Sequence, residues 1–287
     1  MSSLIQPASN EQKVSALELD FKCNPVGKTL ITHQYQTHPL KISRPFILDS
    51  SNYAYVYLRN NSPGLFAGDK LNININLQQD TQIYLTEQSA TKAHPMTAGA
   101  KAEVNYTWQL QPQAILEFVS EPIILYRDSA LKQTTQITMH PTASLFWSEI
   151  VLPGRLARGE FYQFRDYHNC LEIFSAEGKL WLKEQSHLEG QNNLFANSNL
   201  FASSPVLGTA IAVMPHVDLN LLVNTINNLN LKYNDVLTVA ISVLPYEKGI
   251  LLRVLASQAQ LIKKYYRSVI NALRQLNHQL LLPNIPK

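Results

Sequence analysis

The sequence is poor in charge, poor in cysteine and without a long apolar run, and each shortage closes off a class of protein. Charged residues make up 16% of the 287 positions, and 24 basic against 21 acidic side chains leave a formal net charge of +3. So mild a balance, with no run of Lys or Arg to form a patch, argues against nucleic acid as a partner. The two cysteines, Cys23 and Cys170, lie far apart in the chain. They pair only if the fold brings them within disulfide reach, and nothing marks secretion, so two reduced thiols are expected. The first residues, MSSLIQPASNEQ, lack a basic region followed by an apolar core, so no signal peptide is expected. The longest apolar stretch, Val236–Leu244, falls far short of the roughly 20 residues that span a bilayer. A soluble, cytoplasmic protein with no membrane partner is predicted. Its surface, rich in Asn, Gln and Thr, suits a protein that works against partners.

Catalytic and metal-binding signatures are missing as well. The eight histidines (His33, His38, His94, His140, His168, His187, His216 and His278) form no HxxxH, HxH or Cys/His pair at metal-ligand spacing. No GxSxG elbow, P-loop or GxGxxG occurs. Neither a static metal site nor a tightly bound cofactor is expected.

What is present is a strand pattern. In Lys70–Leu77 the apolar Leu71, Ile73, Ile75 and Leu77 alternate with Asn72, Asn74 and Asn76, one face for a core and one for water or a polar partner. Gln82–Thr86 follows and runs into a dense polar set, Glu87, Gln88, Ser89, Thr91 and Lys92. Further strands are predicted at Tyr53–Leu58, Glu103–Leu110, Ile115–Val119, Gln133–Met139 and Leu145–Val151, separated by Pro, Gly and Asn/Asp turns. Residues 1–16 read as a disordered lead and Glu189–Ser204 as an exposed loop. The rest, 17–287, reads as one domain. A β stack runs to about residue 207, and a helix–strand–strand–helix segment, 208–287, closes it. Asp218 is placed to cap a helix through Leu219, Leu222, Val223, Ile226 and Leu229. The strands Val236–Leu244 and Ile250–Leu255 come next. A long final helix, roughly Ala256–Leu280, carries Ala259, Ile262, Tyr266, Val269, Leu273, Leu276 and Leu280 at steps of three and four. The default reading is that this stripe packs on the β core; the alternative is a helix that docks a partner.

An internal repeat lies beneath the pattern. Leu77-QQD-Thr81-x-Ile83-x-Leu85-x-Glu87, Leu110-QPQ-Ala114-x-Leu116-x-Phe118-x-Ser120-Glu121 and Met139-HPT-Ala143-x-Leu145-x-Trp147-x-Glu149 align, their starts 33 and 29 residues apart. Each has a polar turn, a small residue, two apolar residues two apart and a carboxylate near the strand end, the sequence form of stacked rungs. The fold class expected is mainly β, a β-helical or solenoid-like stack of many strands with two α-helices in the C-terminal third. Stacking would set Glu87, Glu121 and Glu149 along one edge. Glu87 shares parity with Ile83 and Leu85, and Glu149 with Leu145 and Trp147, so in continuing strands both point to the core. A carboxylate there needs partners or water, which an internal wet channel supplies; the alternative is that each strand stops before its Glu and the side chain turns outward. Carboxylates on successive rungs also allow a competing function, a β-solenoid hydrolase of polysaccharide working with paired acids among Glu87, Glu121 and Glu149. Against it, the strands carry few exposed Trp or Tyr of the kind that sugar clefts use. In GRLARGE, Arg155 and Arg158 flank a turn closed by Glu160. An internal Arg–Glu lock is the default and a partner's acidic group the alternative.

The motifs, taken in order, resemble a family. These are PL-K-x-x-R-P (Pro39, Leu40, Lys41, Arg44, Pro45), the G-D turn (Gly68, Asp69), QSATK (Gln88–Lys92), EP…D (Glu121, Pro122, Asp128), GRxxRGE (Gly154–Glu160) and R-V-L (Arg253–Leu255). From about Leu17 to Arg274 the chain is similar to the urease accessory proteins called UreD, or UreH in some organisms. The resemblance implies a non-catalytic protein with a β-helical fold. It implies a complex with UreF and the GTPase UreG, extending to a dimeric assembly through UreF, and binding to the urease apoprotein. The assembly would support nickel delivery and lysine carbamylation there. It further implies that nickel moves in transit, without a static site, through an internal water-filled tunnel, with Asp69, Glu149 and Glu184 as its acids. Glu87, Ser89, Thr91, Lys92 and Glu121 complete the candidate polar passage. Departures from the family pattern are Ala67 before the Gly-Asp pair, Glu87 before QSATK, His94 in place of an aromatic, and Pro283, Asn284, Ile285, Pro286 at the tail. The last leaves the docking of the tail open.

Overall fold

The computed structural model describes residues 14–190 and 198–286. Most of the predicted lead, 1–13, and the centre of the predicted 189–204 loop lie outside the described residues. Two sheets face each other. One has seven strands: β1 (Val14–Cys23), β2 (Thr29–Gln36), β5 (Lys70–Leu77), β8 (Ala102–Leu110), β11 (Ala130–Met139), β13 (Asp166–Ser175) and β14 (Leu180–Glu189), in the order β14-β13-β11-β8-β5-β1-β2. The other contains β3 (Leu40–Ile42), β4 (Ala54–Asn60), β6 (Gln82–Glu87), β9 (Ile115–Val119), β12 (Ser144–Leu152), β15 (Val206–Val213), β16 (Leu237–Val243) and β17 (Ile250–Ala256), in the order β16-β17-β15-β12-β9-β6-β4-β3. Two short strands, β7 (Thr91–Ala93) and β10 (Ile123–Leu125), pair in parallel beside β12.

The repeat is the solenoid rung. Leu77, Leu110 and Met139 stand in register across β5, β8 and β11. On the facing sheet Ile83, Leu116 and Leu145 are in register, as are Leu85, Phe118 and Trp147. Between them the polar turns cross from sheet to sheet, and the small residues at the corner, Thr81, Ala114 and Ala143, are fully buried. Corners stack through backbone hydrogen bonds: Ile115 N donates to Thr81 O at 2.8 Å and Ser144 N to Ala114 O at 2.9 Å. A larger side chain at a corner would push the rungs apart, which explains the small residue in each copy.

Alternation sets what each face does. Inward residues of β5, β8 and β12 join one core between the sheets, while Asn72, Asn74 and Asn76 face out; Asn105 Nδ2 donates to Asn72 Oδ1 at 3.0 Å. The outer face of the second sheet is covered by α2 (Leu219–Asn230) and α3 (Ala259–Leu276), giving a second apolar layer. Asp218 caps α2, accepting from Leu221 N at 2.9 Å, a contact worth about 1 kcal/mol. The stripe of α3 packs on the sheet, as the default reading had it: Ile262, Tyr266, Val269 and Leu273 are buried, joined by Tyr265, Ile270 and Arg274.

Several boundaries differ from expectation. β1 begins at Val14, inside the predicted lead, because its partner β5 starts at Lys70 and offers pairing from there. The final helix is shorter at both ends, and Leu280 lies beyond it, half exposed. Asn199–Ser203, within the predicted loop, is a one-turn helix, α1. Both cysteines are free thiols, and no helix among the described residues is long and apolar enough to cross a membrane. The tail docks: Arg267 Nη2 donates to Leu282 O at 2.8 Å, Leu282 is buried, and the Tyr57 hydroxyl donates to Pro286 O.

Candidate functional site

A cavity of about 110 Å³ lies between the sheets. Its mouth is formed by the Asn60–Leu65 loop and by Ser89, Thr91 and Lys92, with Glu87 at the lip and Tyr106, Gln133 and Glu149 further in. The volume holds several water molecules at roughly 10–15 Å³ of probe volume each. Buried polar groups without a protein partner line or adjoin it: Ser120 Oγ, Trp147 Nε1, Tyr167 Oη and Asn169 Oδ1. The space is polar and large enough to admit water to such groups.

Glu149 is its centre. The side chain is 5% exposed and reaches across the core to the opposite sheet, where Gln133 Nε2 and Asn169 Nδ2 donate to it, the latter at 3.1 Å. The Tyr167 hydroxyl stands close to the same carboxylate but outside hydrogen-bond geometry. Burial outweighs these donors and pushes the Glu149 carboxyl up to about 7. The Tyr106 phenol is held well above its usual range, first by burial and then by the charges of Glu87 and Glu149.

The polar line continues past the cavity toward the sheet edge. Glu149, Thr209 and Arg253 are cross-strand partners on β12, β15 and β17 and share the inner face. Arg253 Nη1 donates to Thr209 Oγ1 at 2.6 Å, and Nη2 pairs with Glu184, which faces inward from β14. From β6 to β17 the line crosses four strand spacings, roughly 19 Å.

Glu121 lies elsewhere. In its rung Ser120 takes the register position that Glu87 and Glu149 hold in theirs; Glu121 comes one residue later, and a shift of one residue reverses the face. The Glu121 carboxylate therefore leaves the interior and pairs with Lys263 of α3, at 2.8 and 2.9 Å. Its backbone N–H stays at the edge and donates to Glu87 Oε2 at 2.9 Å. The expectation of three carboxylates along one edge is corrected to two inside and one outside. Asp69 does not line the cavity: its Oδ2 accepts from Phe66 N at 2.8 Å and closes the turn before β5. Arg155 and Glu160 form the bidentate lock, with Nε donating at 2.9 Å, and this pairing holds Glu160 below the usual carboxylate range. Arg158 stays outside the lock, exposed.

Sequence reasoning missed a further buried acid. Glu117 accepts from Arg274 Nε at 2.8 Å and Nη2 at 2.7 Å, with the guanidinium 4.3 Å from the Tyr53 ring centroid. An Arg within an otherwise apolar helix stripe was the available signal. Among the described residues no group of three or more His, Cys, Asp or Glu is arranged to hold a metal ion.

Fold and site together define a β-solenoid scaffold that encloses a polar, carboxylate-bearing cavity. The family model described as UreD urease accessory protein matches residues 13–287, so the chain belongs to that family. It is 47% identical over 275 residues to the urease accessory protein UreD of Trichodesmium erythraeum (strain IMS101), covering 94% of this chain and 98% of that protein. It is 33% identical over 171 residues to the UreD of Lysinibacillus sphaericus (strain C3-41), covering 58% and 63%. With UreD 2 of Brucella canis (strain ATCC 23365 / NCTC 10854 / RM-666) the identity is 26% over 273 residues, covering 94% and 89%. These relatives are urease accessory proteins by name.

Proposed function

We propose that this protein serves urease maturation in the cytoplasm as a non-catalytic scaffold that binds the urease apoprotein and a complex of UreF and UreG. In this reading it passes Ni²⁺ along the internal polar line. The observation that carries it is the buried, amide-cradled Glu149 in a polar cavity. A divalent cation crossing a protein interior needs oxygen ligands and water, and it needs sites too open to trap it. Single carboxylates spaced apart, on β6, β12 and β14, rather than a His/Cys shell, meet both needs. A carboxyl that titrates near neutrality also exchanges its proton for an arriving cation at little cost. Glu87, Ser89, Thr91 and Lys92 are assigned to the mouth, Glu149 to the middle and the Arg253–Glu184 pair to the far end. Asp69 is assigned to the approach.

The test is urease activation with separate measurement of partner binding. Glu149→Leu removes the acid at nearly constant bulk and makes this point of the passage apolar, so activation and nickel content of urease fall while pull-down of UreF and urease is unchanged. A parallel loss of partner binding would make the residue structural and overturn the conduit. Active, nickel-loaded urease in a deletion strain would overturn the maturation role itself.

A further inference from the structure

Six of the nine arginines direct their guanidinium groups at carboxylates, amides or carbonyls; Arg44, Arg59 and Arg158 have no such partner among the described residues. Two of these three meet. Arg44 and Arg59 line an open recess of about 540 Å³ with His33, Gln34 and Ser43, at the end of the solenoid where β2 and β3 are the outermost strands. Arg59 Nε is buried there without an acceptor. Lys41 and Arg59 are moreover directly opposed cross-strand partners, and like charges so placed repel. Two acids lie beside His33 of the recess: Glu18 is 3.9 Å from its Nε2, and Asp20, its cross-strand partner, accepts from Asn76. Neither carboxylate pairs with Arg44 or Arg59 among the described residues.

From these observations we propose that the Arg44–Arg59 recess is a docking site for an acidic segment of a protein partner, whose carboxylates take the two guanidinium forks. The guanidinium fork matches a carboxylate bidentately, and a buried donor left unmade is costly until an acceptor arrives. The recess is far larger than a single inorganic anion. This site is separate from the cavity of Glu149 and does not depend on metal passage.

The test is fluorescence anisotropy of the full chain with a labelled, C-terminally amidated hexaglutamate peptide, competed by inorganic phosphate. Saturable binding is expected, weakened at least tenfold by Arg44→Gln and abolished by Arg44→Glu. Position 44 is exposed, so both variants keep the fold, whereas Arg59→Gln is read only alongside an unchanged melting curve. Arg158→Gln, the third arginine without a partner, is expected to change affinity less than twofold. Absence of saturable binding, or equal loss with Arg158→Gln, would overturn the proposal. Displacement of the peptide by phosphate at matching concentration would do the same, because the recess would then be a small-anion site.

Discussion

At the scale of single residues, Glu149 carries a consequence for stability. Its carboxyl titrates near 7 in the folded chain against about 4.3 in an unfolded one. The native state therefore keeps a proton that the unfolded state releases, and stability falls as pH rises between those values and is level on either side. The total is on the order of 3 kcal/mol. Glu149→Gln lacks this dependence, so urea unfolding at pH 5 and pH 8 should show wild type losing ground to the variant at the higher pH. Identical pH profiles would contradict the burial argument. Arg274 and Glu117 are a different case, because both are buried and each satisfies the other. Removing one partner, by Arg274→Ala or Glu117→Ala, should cost about 3–5 kcal/mol by chemical denaturation, while the apolar pair Arg274→Met with Glu117→Leu should recover much of it. Parity in the sequence aimed Glu149 inward only if its strand continued through it, and β12 does run on to Leu152. The partners of Glu149 were not legible, because Gln133 and Asn169 come from strands whose place opposite β12 depends on the closed coil. Arg274 was hidden for the opposite reason: an isolated cation in a helix normally reaches for solvent.

At the scale of elements, the helix–sheet contact of α3 on β15 has one narrow point. A Cβ on Gly208 would come within 2.6 Å of the Tyr266 hydroxyl and 2.9 Å of Ile262 Cγ2. Both neighbours are fully buried, so the helix has to move. Gly208→Ala should destabilise by about 1–3 kcal/mol and alter the near-UV circular dichroism of the tyrosines; an unchanged melting curve would refute the close contact. Element types were largely legible because strict alternation in Lys70–Leu77 and the three-and-four steps of α3 each fit one period. The three-residue strands β7 and β10 went unseen, since so short a segment shows no period. The extent of β1 is set by β5, a partner that lies dozens of residues away, and no local pattern reports it.

At the scale of the whole molecule, the C-terminal tail ties the helical layer back to the solenoid. Arg274 Nη1 donates to Leu280 O, Arg267 holds Leu282 and Pro283, and Tyr57 of β4 donates to Pro286. Truncation after Leu276 removes these bonds and the burial of Leu282. It should cost about 2–4 kcal/mol, read as a lower midpoint in thermal unfolding. An unchanged midpoint would mean that the tail only rests on the surface. The stacking of rungs was open to sequence reasoning because the same corner recurs three times with the same spacing of apolar residues. The line from Glu149 through Thr209 to Arg253 and Glu184 was not, because its members are single residues scattered over a hundred positions and meet only through the sheet register.

That Ser120, and not Glu121, holds the register position has a genetic consequence. Loss of that one codon in frame would slide Glu121 into the interior beside Glu87 and Glu149 and strip Lys263 of its anion, changing both the lining of the cavity and the seat of α3. No single amino-acid replacement at either position does both. Along this solenoid, short insertions and deletions are therefore the mutations that trade charge between inside and outside, and lineages that differ in rung length are where such trades should be sought.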